Sequence, residues 1–199
     1  MQLPQQFLDS FAGQLGTSGY KFLTENRATF VDVTSSSVTL TTTTYREWRD
    51  FQALLSLCKN AFVEIYAPPF YSRVGLRYVN WIDRDSLNIP TAPWQDLLHK
   101  SILGELGEHF IEQNVEEMQK SIRVRNSDKL GGFLLQHGLF KQVPNGNNCY
   151  FIDFDFYADQ KTEIANAAAV LDSLHNRSGL AWRWCISPKL HAALGPHDA

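Results

Sequence analysis

The sequence is poor in residues that staple a chain together or anchor it in a membrane. Its cysteines, Cys58, Cys149 and Cys185, are far apart and lack Cys-x-x-Cys spacing. That argues against a disulfide framework or a thiolate zinc site and points to a reducing compartment. No apolar run approaches the ~20 residues that cross a bilayer. Residues 1–13 show no basic segment followed by an apolar stretch, so no signal peptide is expected and the reading is a soluble, cytoplasmic protein. Lys and Arg number 18 against 21 Asp and Glu, a formal net charge of -3. A dedicated DNA binder needs a cationic excess to neutralise phosphates, so only a local basic face remains compatible with nucleic acid. There is no nucleophile elbow, Walker loop or dinucleotide fingerprint, and the six histidines are scattered without metal-ligand spacing. No cofactor, metal or catalytic residue is expected.

What is present is a chain with 44% hydrophobic residues, enough for a sizeable core at 199 residues. A short amphipathic helix is predicted over 4–15. An antiparallel meander follows over 20–24, 29–33 and 37–43, where β-branched and aromatic residues dominate. Thr44 and Glu47 have capping-box spacing. Trp48, Phe51, Leu55, Cys58, Phe62 and Ile65 then mark one face of a helix that Pro68-Pro69 ends. Trp94, Leu97, Leu98, Ile102 and Leu106 predict a second helix. Strands are predicted over 121–125 and 132–143, with a turn over 144–148. A last long helix starts at an Asp159 N-cap, carries Ile164, Ala167, Ala168, Leu171 and Leu174 inward, and ends over 176–179. A strand over 180–186 and a short helix capped by Ser187-Pro188 follow. The reading is α+β: a single domain over 1–199 with one mainly antiparallel sheet and helices packed on one face. Strand–helix–strand at 37–82 and again at 149–186 allows an internal repeat.

Two strands carry the chemistry. Over 70–83 the residues alternate, placing Val74, Leu76, Tyr78 and Ile82 on one face and Tyr71, Arg73, Arg77 and Trp81 on the other. Over 149–157, Tyr150, Ile152, Phe154 and Phe156 share a face, and Phe151, Asp153, Asp155 and Tyr157 share the opposite one. Arg73 and Arg77 beside Tyr71 and Trp81 can form a cationic-aromatic platform, since guanidinium groups fork onto phosphates or carboxylates and rings stack on bases. The alternative is pairing with Asp153 and Asp155 on a neighbouring strand. Those aspartates, at i and i+2, also have the spacing of a shared divalent-metal site. That chemistry wants a further carboxylate and a phosphate-cradling turn, and the Gly131-Gly132 pair lacks a helix N-terminus to supply one. His175 reads as a helix C-terminal histidine facing the dipole.

The run Arg73-Val74-Gly75-Leu76-Arg77-Tyr78-Val79-Asn80-Trp81-Ile82 resembles the Arg-x-Gly-Leu-Arg-Tyr-x-Asn-x-Ile strand of a sporadically distributed bacterial family of uncharacterised proteins. The resemblance extends to Tyr45, Trp48 and Phe51, to Ile152-Asp153-Phe154-Asp155, to Leu174-His175 and to Trp184-Cys185-Ile186. It implies a fold and a bacterial cytosolic setting and brings no known activity. Typical members begin with an additional strand that this chain lacks, which implies an open sheet edge.

Taken together, the sequence favours a non-catalytic binding or regulatory protein that recognises a protein partner or a second copy of itself. The resemblance suggests a bacterial defence or toxin–antitoxin-like setting. The alternatives are a metal-dependent enzyme acting on nucleotides or nucleic acid through Asp153 and Asp155, and nucleic-acid binding through Arg73, Arg77 and their aromatic neighbours.

Overall fold

The computed structural model describes residues 19–127, 130–141 and 148–195. The helix expected over 4–15 lies outside them, as do residues 144–147 of the turn expected over 144–148; Asn148 is the first residue of a strand. Where the sequence predicts one domain, the chain divides into two compact units, residues 1–69 and 70–199.

In the first unit β1 (Gly19–Leu23), β2 (Thr29–Thr34) and β3 (Val38–Thr42) form an antiparallel meander in that order. Side chains stabilise its turns. Asn26 Oδ1 accepts from Ala28 N (3.1 Å), and Thr34 Oγ1 accepts from Ser36 N and Ser37 N (3.2 and 3.0 Å). Helix α1 (Trp48–Tyr66) packs on β3. The expected capping box is not formed: the N-cap is Glu47 itself, with no side-chain cap bond, and Thr44 Oγ1 pairs with Thr42 Oγ1 at 3.3 Å. At the other end Ala67 turns left-handed (φ 43°), its N–H bonds Val63 O at 2.9 Å, and Pro68 follows. The expected stripe Trp48, Phe51, Leu55, Cys58 and Phe62 is half-buried, Ile65 is exposed, and no residue of α1 is fully buried. Truncating Phe51 therefore removes less than a fully buried ring would.

The second unit is a four-stranded antiparallel sheet in the order β4-β7-β6-β5, built from β4 (Val74–Ile82), β5 (Met118–Arg125), β6 (Gly132–Lys141) and β7 (Asn148–Ala158). The single continuous sheet of the sequence reading is thus two sheets. β7 lies centrally, with Leu76 opposite Phe156 and Tyr78 opposite Phe154 on β4, and Leu135 opposite Phe154 on β6. The expected alternation holds along both β4 and β7.

The helices of this unit lie against the Tyr78/Tyr150 face. The stretch 94–107 is broken into α2 (Trp94–Leu97), α3 (Lys100–Leu103) and a 3-10 turn (Gly104–Gly107), where one helix was expected. The break is at Leu98, which is extended (φ -114°, ψ 149°) and bridges Ile186. All five apolar residues of the expected helix face are nonetheless buried. Glu112, on α4 (His109–Asn114), accepts from Trp94 N at 2.9 Å, and Arg84 lies over the Trp94 ring at 4.5 Å.

A 3-10 turn (Ile164–Asn166) leads into α5 (Ala167–Cys185), which packs on β4 and β7. The N-cap is therefore not Asp159, which instead pairs with Arg125. Ala168, expected inward, is exposed. The helix runs through the predicted stop and through the predicted strand over 180–186. Ala167, Leu174, Ser178 and Cys185 keep a buried helical period across the stop, and Gly179 faces open space. Without that closing strand the second half does not repeat the strand–helix–strand of the first. α6 (Pro188–Ala193) begins as expected, with Ser187 Oγ accepting from Leu190 N at 3.1 Å and Pro188 in the first turn. No helix of the described residues is long and apolar enough to cross a membrane.

Candidate functional site

The antiparallel register of β4 and β7 sets Arg77 opposite Asp155 and Val79 opposite Asp153, all on one face of the sheet. Each arginine leans toward the C-terminal end of β4: Arg77 meets the carboxylate on its diagonal, and Arg73, just before the strand, reaches Asp155, the residue opposite Arg77. Arg77 forks onto Asp153, with Nε donating to Oδ1 at 2.9 Å and Nη2 to Oδ2 at 2.6 Å. Arg73 Nη2 donates to both Asp155 oxygens, at 3.0 and 2.9 Å. Arg73 reaches that far because residue 75 is glycine: a Cβ there would lie 2.7 Å from Arg73 Nη1. The Arg73 guanidinium also stands 5.2 Å from the Tyr157 ring, the residue opposite Gly75.

The two pairs differ in burial. The Asp153 side chain is 3% exposed and that of Arg77 32%, whereas Arg73 and Asp155 are 51% and 30% exposed. Burial pushes the Asp153 carboxyl above the usual range, against the pull of Arg77. Burial also works against the charge on Arg77, but its bonds to Asp153 and the charges of Asp153 and Asp155 outweigh it and raise the guanidinium pKa.

Tyr71 precedes β4 across a bend at Ser72, and Trp81 lies near the strand's far end. Tyr71 exchanges both backbone hydrogen bonds with Thr162 (2.9 and 2.8 Å), its hydroxyl is buried, and burial raises its pKa. Trp81 packs on Phe151, ring centroids 5.8 Å apart, and Phe140 packs on Phe151 in turn at 5.0 Å. The seven residue steps of β4 from Val74 to Trp81 alone span roughly 23 Å, so the two rings do not flank one small platform. A divalent ion shared by Asp153 and Asp155 would have to displace both arginines. Among the described residues no group of three or more His, Cys, Asp and Glu side chains is arranged to hold a metal ion.

On the opposite face lies a buried chain of polar groups that sequence reasoning missed. Tyr150 OH donates to Ile102 O at 3.1 Å, and His137 Nδ1 lies 2.7 Å from the same hydroxyl. Since the phenol proton goes to the carbonyl, His137 is the Nδ1–H tautomer and donates to Tyr150. Burial lowers the His137 pKa to about 4, and Lys120, opposite it on β5, adds to the effect against Glu105. His175 is not at a helix end. It lies within α5, its Nδ1 is 3.0 Å from Tyr78 OH, and burial lowers its pKa. A shallow depression of about 320 Å³ lies between α5 and the β5–β6 turn, floored by Phe133 and Phe156 with Arg177 and Leu180 at its side. Nothing in the sequence pattern singled out either feature.

Comparison with models of protein families, with curated proteins and with solved structures finds no match.

Proposed function

We propose that this is a non-catalytic binding or regulatory protein that recognises a protein partner through α1. The observation that carries the reading is a second apolar stripe on that helix. Leu54, Leu57, Ala61 and Ile65 recur at spacings of three, four and four, beside the stripe that packs on β3, and all four are exposed. Leu57 is 68% and Ile65 74% exposed. At 100° per residue the apolar arc of α1 is far wider than one packed face requires. Anchors at i, i+3 and i+7 on one helix are the pattern read by an apolar groove, so the partner is a protein that supplies such a groove.

The paired state of Asp153 and Asp155 supports a binding reading over a metal-dependent one, because both carboxylates already have cationic partners. The same pairs engage Arg73 and Arg77, which weakens the case for a phosphate-binding platform. The defence setting rests on the resemblance in the 73–82 strand and belongs to this proposal.

The test is a photo-crosslinking residue at position 57 in bacterial cells, with position 60 on the polar side of α1 as control. One discrete protein adduct at 57, reproduced with that protein purified and lost with Leu57→Asp or Ile65→Asp at unchanged melting temperature, supports the reading. Equal background at both positions overturns it. So does tight binding of a single-stranded oligonucleotide that is lost on changing Arg73 and Arg77.

A further inference from the structure

We propose that the second unit pairs with a second copy of itself through β5, joining two four-stranded sheets edge to edge across a twofold axis at Ser121. β5 ends the sheet, and its residues from Ser121 to Arg125 are all exposed. Beyond its pairing with β6, no backbone hydrogen bond engages this strand among the described residues. Uncovered edges of this kind are pairing templates, and folded proteins usually blunt them with proline, bulges or protruding charge. β5 has no proline, and its register with β6 runs without a bulge from Met118–Leu139 to Arg125–Gly132. Two of its three cations are drawn into their own chain: Lys120 pairs with Glu105, and Arg125 with Asp159 at 2.7 Å.

The charge pattern selects both the occupant and the register. For a twofold axis normal to the sheet, residue i of one copy opposes residue j of the other with i + j constant, and both sheet faces continue across the join. Like charges directly opposed are destabilising. An axis at Lys120 or Arg123 sets that residue against itself, and one at Val124 sets Arg123 against the second copy's Arg125. An axis at Ser121 opposes no like charges along 118–124. It faces Arg123 with the second copy's Gln119, Val124 with its Met118 and, just beyond the strand, Arg125 with its Glu117. An axis at Ile122 also avoids like charges but sets Arg125 against the second copy's Gln119 and gains no ion pair. Two registers thus pair seven residues of the strand without opposing like charges, and the one at Ser121 is favoured because it also brings Glu117 of the second copy beside Arg125, where it can join the Arg125–Asp159 pair.

Sedimentation equilibrium on the whole chain tests this, with a mass of twice 22.7 kDa expected as concentration rises. Gln119→Arg, at an exposed position, places an arginine against Arg123 at both ends of the join and should weaken dimerisation about tenfold. Adding Arg123→Gln swaps the two and should restore it. In a Cys58→Ser background Ser121→Cys should form an intermolecular disulfide, because residues on the axis lie within disulfide reach. Ile122→Cys, at the diagonal spacing of roughly 7–8 Å, should not. A monomer throughout, a dimer indifferent to Gln119→Arg, or crosslinking at 122 and not at 121 overturns the proposal. None of these readouts involves α1, so failure here is distinct from failure of the partner reading.

Discussion

Removing Arg77 should cost more than removing its partner Asp153, although the two share one pair of hydrogen bonds. Arg77→Met leaves the Asp153 carboxylate at 3% exposure without the fork that holds both its oxygens. A buried charge stripped of its partner costs roughly 3–5 kcal/mol. Its neighbour Arg73 is committed to Asp155, so the loss should fall at about 3 kcal/mol. Asp153→Asn leaves the other half. Arg77 is 32% exposed and stands opposite Asp155, so water and a second carboxylate can take up its charge. That cost should be about 1–2 kcal/mol. Arg77→Met with Asp153→Leu removes both charges together and should be less destabilising than Arg77→Met alone, with a coupling of about 1.5–3 kcal/mol. Urea unfolding followed by tryptophan fluorescence measures this, since four of the five tryptophans (Trp81, Trp94, Trp182 and Trp184) lie in the second unit. An Arg77→Met cost below about 1 kcal/mol, or a coupling near zero, would refute the claim that this pair is a buried structural contact.

Three other expectations concern the same unit. Gly179→Ala should stabilise by about 0.5–1 kcal/mol, because the position is in mid-helix and an added Cβ meets nothing within 4 Å; a fall in melting temperature would contradict the helical reading. Gly138→Ala should destabilise by several kcal/mol, since its Cβ would lie 1.8 Å from the Met118 carbonyl oxygen and β5 would have to leave β6; retained amide protection along β5 would argue otherwise. His137, held near 4 when folded against 6.5 ordinarily, takes up its proton more readily in the unfolded chain. Its contribution is therefore complete above about pH 6.5 and is lost as pH falls toward 4, up to about 3 kcal/mol, and His137→Asn should flatten that part of the urea-midpoint profile.

Much of the second unit's sheet was legible because its strands obey a strict period of two. Arg73, Arg77, Asp153 and Asp155 fell on matching faces from alternation alone, and like charges repeated on each strand implied that the strands would meet. The helices were less legible where apolar residues satisfied two conformations. Trp94 to Leu106 has a helical apolar pattern and is buried as that pattern requires, yet a tertiary bridge from Leu98 to Ile186 breaks the helix. Gly179 read as a stop because glycine commonly ends helices, but burial of Ser178 and Cys185 on the far side carries the helix through. The His137–Tyr150–Ile102 chain joins three separate segments, so no local pattern announces it. The division into two sheets was missed because period-two patterns specify faces, not which strands are neighbours.

The Arg–Asp ladder does more than neutralise charge: it specifies register. A one-residue slip of β4 against β7 would turn Arg77 onto the face where Leu76 meets Phe156 and α5 packs, exposing the apolar set in exchange. Hydrophobic burial alone forbids that slip, but a two-residue slip keeps every apolar residue on its face. What opposes the two-residue slip is the polar face. The slip that sets Arg77 opposite Tyr157 would move Gly75 away from that ring and separate the Arg77 fork from Asp153, the one fully buried carboxylate among the described residues; the opposite slip would set Arg77 straight across from Asp153, off the diagonal that its fork now spans. Gly75 takes part in this as well, because a Cβ there would lie 2.7 Å from Arg73 Nη1 and the guanidinium would have to shift from its present seat. The strand Arg73–Ile82 thus reads as two codes written on one backbone. One face states that the strand is buried against helices, and the other states where along β7 it must stop.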